Sequence, residues 1–356
     1  AVALGVSALL SACASLAPDY QRPDAPVPAA WLASDAGSPV QTAATGTAAA
    51  DIGWQAFFTD ARLRQVIELA LQHNRDLRVA ALNVEKAQAQ YRVQRADLFP
   101  TLNASAGQSA QRLPADLSST GQAGISRQYT ATVGVSAYEL DLFGRVRNLK
   151  EAALAQYLAT DDAHRSTQLS LVAEVAVAYL TLGADQARLQ LAQQTLRSQQ
   201  ESLRLTQRRH ELGVASALEL RQVQSTVESA RVDVASYTSL VAQDVNTLTL
   251  LVGTSVPAEW RPSPGAEVPV TVTQDLPAGV PSEVLLQRPD VQQAERALQS
   301  ANANIGAARA AFFPSISLTA GAGVASGALD QLFQGGQGYW SFVPQITLPI
   351  FDAGRN

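Results

Sequence analysis

The chain contains one helical segment twice. Residues 76–100 and 290–314 align without a gap at an offset of 214, and eight of the 25 aligned pairs are identical. Both copies reach a proline, Pro100 or Pro314, which cannot continue helical hydrogen bonding. Both copies also carry apolar residues at heptad spacing, which predicts a helix with an apolar seam: Leu77, Val84, Tyr91 and Leu98 in the first, and Val291, Leu298, Ile305 and Phe312 in the second. A duplicated helix-then-strand unit severely restricts the possible folds.

Four segments alternate apolar and polar residues, as a strand with one apolar face does. Two follow the first proline and two follow the second. Their polar positions hold small hydroxyl residues and glycine, which suit a water-filled lumen. From the strands alone, a soluble sheet with one solvated face is an equal alternative. The predicted apolar faces are Leu102, Ala104 and Ala106; Ala131, Val133, Val135 and Ala137; Ile316, Leu318, Ala320, Ala322 and Val324; and Trp340, Phe342, Ile346 and Leu348.

A long helical hairpin is predicted between the two copies. Residues 145–212 contain no proline, and Leu182, Leu189, Leu196 and Leu203 keep heptad spacing. Gly213 follows where a left-handed helix cap belongs. Ser216 and Glu219 then form a capping box that begins a return helix ending near Val252. Residues 213–215 are therefore predicted to be the turn. The return helix has two predicted heptad seams, which are Leu220, Val227, Val234, Val241 and Leu248, and Val223, Ala230, Tyr237 and Leu251. Asp244 is the one polar residue in the second seam, and we expect it to set register or face solvent.

The amino terminus has the pattern of an exported lipoprotein. Residues 1–12 are apolar but too short to span a bilayer, as in the remnant of a secretory signal. Leu10-Ser11-Ala12-Cys13 has the form of a lipobox, and Cys13 is the one cysteine of the chain. We therefore predict that Cys13 is lipidated and anchors the chain to a membrane. The chain contains no methionine, so we expect both ends to be truncated.

Composition argues against several functions. The formal net charge of −5 provides no basic surface for nucleic acid. His73, His164 and His210 are far apart in the sequence, so we expect no metal site and no cofactor. We find no nucleophile–base pair, no glycine-rich phosphate loop and no paired acidic site, and we interpret Asp161-Asp162 and Arg208-Arg209 as solvated helix charges. We therefore predict that the protein is not an enzyme.

Several motifs, in this order, together resemble one family. They are Cys13 with the following Pro18-Asp19-Tyr20-Gln21-Arg22-Pro23, then the segments 138–145 (YELDLFGR), 287–291 (QRPDV), 310–314 (AAFFP) and 348–355 (LPIFDAGR). The chain resembles the outer-membrane efflux channel (TolC-like) family over nearly its whole length, in particular the lipoprotein branch of the NodT and OprM type.

The resemblance implies an α+β membrane protein. A coiled-coil-like helical hairpin would form part of a periplasmic α-barrel, and four amphipathic strands would contribute to a trimeric transmembrane β-barrel of twelve strands. It implies a homotrimer in the Gram-negative outer membrane, in contact with outer-membrane lipid and extending into the periplasm. Such a channel is the passive exit duct for drugs or other small molecules, and its partners are a periplasmic adaptor (membrane fusion protein) and an inner-membrane RND-type pump. The residues at the adaptor-facing hairpin tip would be Gly213, Val214, Ala215 and Ser216.

These patterns divide the chain into consecutive segments. The second copy ends at Gly354-Arg355, where the first continues into the hairpin, so we expect a second hairpin and its gate residues to be missing. The predicted segments are a signal remnant (1–12), a lipid-anchored extended arm (13–58), the first repeat (59–144), the helical hairpin (145–252), a proline-rich equatorial linker (253–280) and the second repeat (281–356).

One alternative function uses the same amino terminus and hairpin. A lipid-anchored periplasmic coiled-coil adaptor or scaffold would share Cys13 and the residues 145–252. It would have no need for four amphipathic strands in two matched pairs. The strands therefore distinguish the two hypotheses.

Overall fold

The structure, a computed structural model, describes residues 15–24, 53–117, 121–263 and 282–356. Cys13, the predicted signal remnant 1–12, much of the predicted arm and most of the predicted linker lie outside the described residues. The chain divides into two compact units. The first comprises Ala1–Pro23, Glu85–Thr160 and Ala294–Asn356, and the second comprises Asp24–Val84 and Asp161–Gln293.

The order of elements matches the predicted succession of helix, strand pair, long helical hairpin, helix and strand pair. Short 3-10 helices at Ala258–Trp260, Ser282–Gln287 and Leu329–Gln331 accompany the main elements. In chain order these are α1 (Trp54–Phe57), α2 (Ala61–His73), α3 (Arg75–Ala96), β1 (Leu102–Leu113), β2 (Gly124–Leu140), α4 (Arg145–Glu211), α5 (Ala217–Val252), α6 (Pro289–Ala310), β3 (Ser315–Ser326) and β4 (Gly338–Thr347).

The two repeated helices, α3 and α6, end in the same way. Each ends four residues before its proline, and a turn follows in which the N–H of Phe99 or Phe313 donates to the carbonyl of Ala96 or Ala310, at 2.9 and 3.0 Å. The turn, rather than the proline itself, therefore ends each helix. The proline instead precedes the first strand residues, where an extended backbone is required.

The four strands form one antiparallel sheet in the order β1-β2-β3-β4. The register places Ala104, Val133, Ala322 and Trp340 in one row across the sheet, and the next row contains Ser105, Thr132, Gly323 and Tyr339. Because cross-strand partners share a face, the apolar and polar faces predicted from alternation are confirmed for these rows.

One part of the strand prediction is wrong. The register of β2 and β3 shifts between Val135 and Tyr138, so that two residues of β2 oppose Thr319 alone. Ala137 lies in this bulge with φ of +53°, and its N–H donates to the Thr319 hydroxyl at 3.1 Å. A bulge interrupts alternation by one residue. The face of Val135 is therefore continued by Tyr138 and Leu140, and Ala137 does not belong to it.

The second unit has an apolar core built on helical periodicity. In α2, Leu63, Val66, Ile67 and Ala70 are at most 1% exposed, and their spacing places them on one helix face. They pack with Leu171, Val175 and Leu182 of α4 and with Leu248 and Val252 of α5. Asp60 caps α2 by accepting the backbone N–H of Arg62 at 2.8 Å. Tyr179 donates to the same carboxylate, and its burial, followed by the charge of Asp60, raises the pKa of Tyr179 to about 12.

By length and composition alone, α4 could cross a membrane, since one stretch of it has a mean hydropathy of 1.3. Core helices satisfy the same criteria. Val175 and Leu182 of α4 are fully buried in the core of the second unit, so we interpret α4 as a core helix. In α5, Val227 and Leu248 of one predicted seam and Ala230 of the other are likewise buried, at most 5% exposed, whereas the remaining apolar seam positions are half-buried.

The segment 138–145, which resembled the family, forms the corner between β2 and α4. Glu139 accepts Arg145 Nε at 2.8 Å, and Asp141 accepts the backbone N–H of Arg147 at 2.9 Å. The ring of Phe143 stacks on Phe313, with centroids 4.8 Å apart. The corner therefore links the end of the first strand pair to the second repeat.

Candidate functional site

The turn between α4 and α5 is closed by backbone hydrogen bonds. The N–H of Gly213 donates to the His210 carbonyl and the N–H of Val214 donates to the Arg209 carbonyl, each at 2.9 Å. These bonds form a Schellman motif, whose central residue must adopt a left-handed conformation. Gly213 has φ of +75°, and a Cβ there would meet nothing within 4 Å. The predicted cap is confirmed, and backbone conformation rather than close approach explains the glycine.

His210 closes the turn with its side chain. Its Nδ1 lies 2.8 Å from the Ala215 carbonyl oxygen. Because a carbonyl can only accept, Nδ1 must be the protonated ring nitrogen. His210 therefore donates into the turn and helps to close it.

The return helix α5 begins as predicted, but its glutamate has a different partner. Ser216 Oγ accepts the N–H of Glu219 at 3.1 Å. The Glu219 carboxylate accepts Arg209 across the turn at 2.9 Å. Sequence reasoning missed Arg209, which it had interpreted as a solvated charge. The sequence did contain a signal for this pair. Residues 209 and 219 are ten residues apart across a short turn, which places them on facing helix ends.

The four predicted tip residues differ in accessibility. Gly213, Val214 and Ser216 are exposed, whereas Ala215 is 7% exposed and therefore contributes to packing within the chain. Leu212, Val214 and Leu218 are 64 to 68% exposed. The turn thus presents a small apolar surface, and exposed ion pairs of Arg208 with Glu211 and of Arg209 with Glu219 surround it.

The polar face of the sheet is lined by small residues. Thr132 Oγ1 and the Tyr339 hydroxyl lie 2.6 Å apart, with Gly323 between them in the register. Tyr339 was not among the predicted polar positions. The apolar face instead carries large side chains at its edge, where Trp340 is 77% and Phe342 is 58% exposed. One face thus suits water and the other suits lipid.

Asp244 lies in a half-buried position beside a second carboxylate. Asp185 is 6% exposed and accepts Arg188 at 2.6 Å. Burial, and then the negative charge and hydrogen bond of Asp185, raise the pKa of Asp244. Among the described residues, none provides a hydrogen-bond partner for Asp244 Oδ2. Asp244 is therefore not a freely solvated carboxylate.

Two further predictions concern the lipidation site and metal binding. Cys13, the predicted lipidation site, lies outside the described residues. Within the described ranges, no three histidine, cysteine or acidic residues are grouped so that they could hold a metal ion. The candidate functional features are therefore two separate ones, the two-faced sheet in the first unit and the hairpin turn in the second.

The chain matches one known protein family over most of its length. The model of the family described as outer membrane efflux protein matches residues 66–254 and 280–356. The chain belongs to the outer membrane efflux protein family. This confirms the resemblance inferred from the motifs at residues 138–145 and 310–314.

Relatives in this family are components of efflux pumps. The toluene efflux pump outer membrane protein TtgC of Pseudomonas putida is 55% identical over 353 residues, which cover 99% of this chain and 72% of that protein. The antibiotic efflux pump outer membrane protein ArpC of Pseudomonas putida has the same identity and coverage. The crystal structure of the open state of the Neisseria gonorrhoeae MtrE outer membrane channel has a TM-score of 0.81 and 39% identity, covering 96% of this chain and 74% of that one.

The fold, general function and location predicted from sequence are therefore confirmed. The chain is an outer-membrane efflux channel protein that extends into the periplasm. Its helices and strands are those of channels with an α-helical barrel and a β-barrel.

Proposed function

We propose that the protein forms a homotrimeric, passive exit duct. The observation that carries this proposal is the sheet, in which β1 and β4 each pair on one side only within the described chain. Open strand edges are not tolerated in lipid, because their N–H and C=O groups would have no partners. Three protomers with four strands each would close a barrel of twelve strands. The polar face with Thr132 and Tyr339 would then line a water-filled lumen.

A second observation supports an oligomer in the helical region. The apolar seam of α6, at Val291, Leu298, Ile305 and Phe312, is 37 to 58% exposed. Seams with heptad spacing normally pack against another helix. A neighbouring helix in the assembled channel would cover this surface.

The hairpin tip is the proposed docking point for a periplasmic adaptor. Gly213, Val214, Ala215 and Ser216 form the closed turn, and only the buried Ala215 is unavailable for direct contact. A small apolar surface with charged neighbours is typical of a specific protein contact. We propose that the adaptor joins the channel to an inner-membrane RND-type pump, which would supply the energy for transport.

The proposed cargo is drugs or other small molecules. Two relatives are named for toluene efflux and for antibiotic efflux. A lumen lined by hydroxyl groups and glycine would select weakly, so specificity would belong to the pump. No enzymatic step is needed for such a duct. The alternative of a lipid-anchored adaptor or scaffold does not account for the four-stranded sheet.

We also propose that Cys13 carries the lipid anchor. This rests on the lipobox Leu10-Ser11-Ala12-Cys13 and on the outer-membrane location of the family. Stable anchoring by acyl chains generally requires more than one of them or a second membrane contact. The strands would provide that second contact.

Site-specific photocrosslinking in cells tests the docking proposal. A photoreactive amino acid at Val214 should capture the adaptor. The matched control is Val232 of α5, which has nearly the same exposure, 63% against 67%, but lies away from the turn. Capture of neighbouring protomers alone from Val214, or equal capture of the adaptor from Val232, would contradict adaptor docking at the tip.

A further inference from the structure

Tyr339 is an aromatic residue on the polar face of the sheet. Among the strand residues of this face that the structure describes, it is the only one with an aromatic ring. The register places it in one row with Gly323 and Thr132, so two strand spacings, about 10 Å, separate its backbone from that of Thr132. Its hydroxyl nevertheless lies 2.6 Å from Thr132 Oγ1. The ring therefore extends across β3, along the surface of the sheet.

Gly323 leaves the space that this ring needs. A Cβ at position 323 would lie 2.2 Å from the Ala131 carbonyl oxygen and 2.8 Å from Thr132 Cα. The close approach of β2 therefore leaves no room for a side chain at this position. Because glycine has none, only the backbone of β3 lies between Tyr339 and Thr132 in this row.

The contact between the two hydroxyl groups holds the ring against the sheet. Either group can donate the hydrogen bond. Tyr339 is 38% exposed, and exposed side chains change rotamer within nanoseconds when nothing restrains them. Without the bond to Thr132, the ring can turn about its single bonds to another staggered position and stand out from the sheet.

Tyr339 lies at the end of the sheet that is far from the helices. Its partner Gly323 follows Ser315, the first residue of β3 after α6, by eight residues. This is about 27 Å along the strand, close to the thickness of the hydrocarbon core of a membrane. Trp340 lies on the opposite face and is 77% exposed, as in an aromatic girdle at a membrane interface. Because the protein extends into the periplasm on the helix side, this end of the sheet faces the outside.

We propose that Tyr339 sets the width of the outer mouth of the duct, and that Thr132 positions its ring so that the mouth stays wide. In a trimer, three such rings would lie at the same level around the lumen. Rings held along the wall leave the passage wide, whereas released rings project into it and exclude larger solutes, since pore diameter selects by size. This inference rests on the proposed trimeric duct with its polar face towards the lumen.

An introduced cysteine below the mouth measures its width from outside. Gln345 lies on the same face as Tyr339 and six residues further along β4, about 20 Å deeper. Intact cells that carry the Gln345→Cys chain are treated with a small membrane-impermeant maleimide or with a polyethylene glycol maleimide, and the two labelling rates are measured. The route from outside avoids any constriction in the helical part of the duct. The chain without Gln345→Cys corrects for labelling of Cys13.

In this Gln345→Cys chain, Thr132→Val removes the hydroxyl but keeps the shape of the side chain. It should lower the labelling rate of the large maleimide about threefold, because loss of one hydrogen bond lowers the ratio of held to released rings about fivefold. The rate of the small maleimide should not change. Thr132→Ser keeps a hydroxyl and should leave both rates unchanged. Thr130→Val, two residues away on the same face, is the matched control and should also leave them unchanged.

Removal of the ring shows whether Thr132 acts through Tyr339. Tyr339→Ala should label at least as fast as the Gln345→Cys chain, and Thr132→Val combined with Tyr339→Ala should regain that rate, because no ring remains to narrow the mouth. The inference is overturned if Thr132→Val leaves the large-maleimide rate unchanged, if the combined variant stays slow, or if both maleimides are slowed equally.

A cysteine on the opposite face distinguishes failure of this inference from failure of the duct proposal. Ile346 is 69% exposed in the protomer, and lipid should protect Ile346→Cys from the small maleimide. Labelling of Ile346→Cys but not of Gln345→Cys would overturn the polar lumen, and the duct proposal with it. Labelling of Gln345→Cys that does not respond to Thr132→Val would overturn the role of Tyr339 alone.

Discussion

The two copies of the repeated helix have the same helical backbone and apolar seam, but the seam residues are buried to different extents by their neighbours. In α3, Leu77 is 8% exposed, and the ring of Tyr91 stacks on Tyr157 with centroids 6.4 Å apart. In α6, the corresponding Val291 and Ile305 are 37 and 44% exposed. The apolar pattern is the same, so the difference comes from the neighbours. A duplicated sequence therefore specifies a helix and its seam but leaves each copy free to acquire its own partners.

The helix face beside the seam differs between the copies in a second way. In α6, Arg309 and Asn302 on this face donate to the carbonyls of Leu16 and Pro18. In α3 the face carries Gln88 and Arg92, with Arg92 donating to Gln88 at 3.2 Å. Substitutions at matched positions of the two copies can therefore test each difference, because the helix background is the same.

The largest effect is expected at Gly306 of the second copy. Gly306→Val places side-chain atoms where Ala17 and Asn148 lie and should lower the free energy of unfolding by about 2 kcal/mol, as overpacking does. Arg92→Val, at the matched position of α3, should cost only about 0.5 kcal/mol of helix propensity. Thermal unfolding of the purified oligomers measures both. Similar losses for the two variants would show that the close packing of Ala17 and Asn148 on Gly306 contributes nothing to stability.

A smaller difference is expected at the paired phenylalanines. Phe313 stacks on Phe143, whereas its counterpart Phe99 is 64% exposed. Phe313→Ala should therefore destabilise the protein by about 1 kcal/mol more than Phe99→Ala, since aromatic pairs add to area burial. Denaturant titration of the two variants checks the difference. If Phe99→Ala lowers the free energy of unfolding as much as Phe313→Ala does, the stacking of Phe313 on Phe143 does not stabilise the protein.

The smallest effect is expected at the paired aspartates, and it depends on pH. Arg288 donates twice to Asp290, which lowers the pKa of Asp290, and position 74, which matches Arg288, is Asn74 in the first copy. A lowered pKa contributes stability above the ordinary aspartate range, and that stability is lost as the pH falls through the folded pKa. Asp290→Asn should thus lower the melting temperature slightly at pH 7 and have no effect in acid.

The control for this pH dependence is Asp76→Asn in the first copy. Melting temperatures are measured for wild type and both variants from acidic to neutral pH. A difference between wild type and Asp290→Asn that persists unchanged in acid would show that the ion pair is not its cause.

Local sequence rules predicted much of the fold. Gly213 and Ser216 placed the hairpin turn, because a left-handed cap and an N-cap have strong residue preferences. The alternation of apolar and polar residues predicted the two faces of the sheet correctly as far as Val135. It failed at Ala137, because a bulge depends on pairing with β3 and leaves no signal in the residues of β2 alone.

Contacts between distant segments were not predictable in this way. The sequence contains Arg209 and Glu219, and also Arg22 and Glu295, but only the fold brings each pair together. No local sequence rule explains a glycine at position 306, because this position lies inside a helix, where glycine is unfavourable. Its reason is the approach of Ala17 from nearly 300 residues away in sequence.

The most direct test of the duct is electrical. The protein produced from its complete gene, purified as an oligomer and added to planar lipid bilayers, should insert as trimers and produce uniform steps of ionic conductance. Folding is verified on the same sample by the SDS resistance of the trimer. Uniform steps support a water-filled passage through the trimer, whereas a folded, inserted trimer that conducts no ions would contradict the proposal of an open duct.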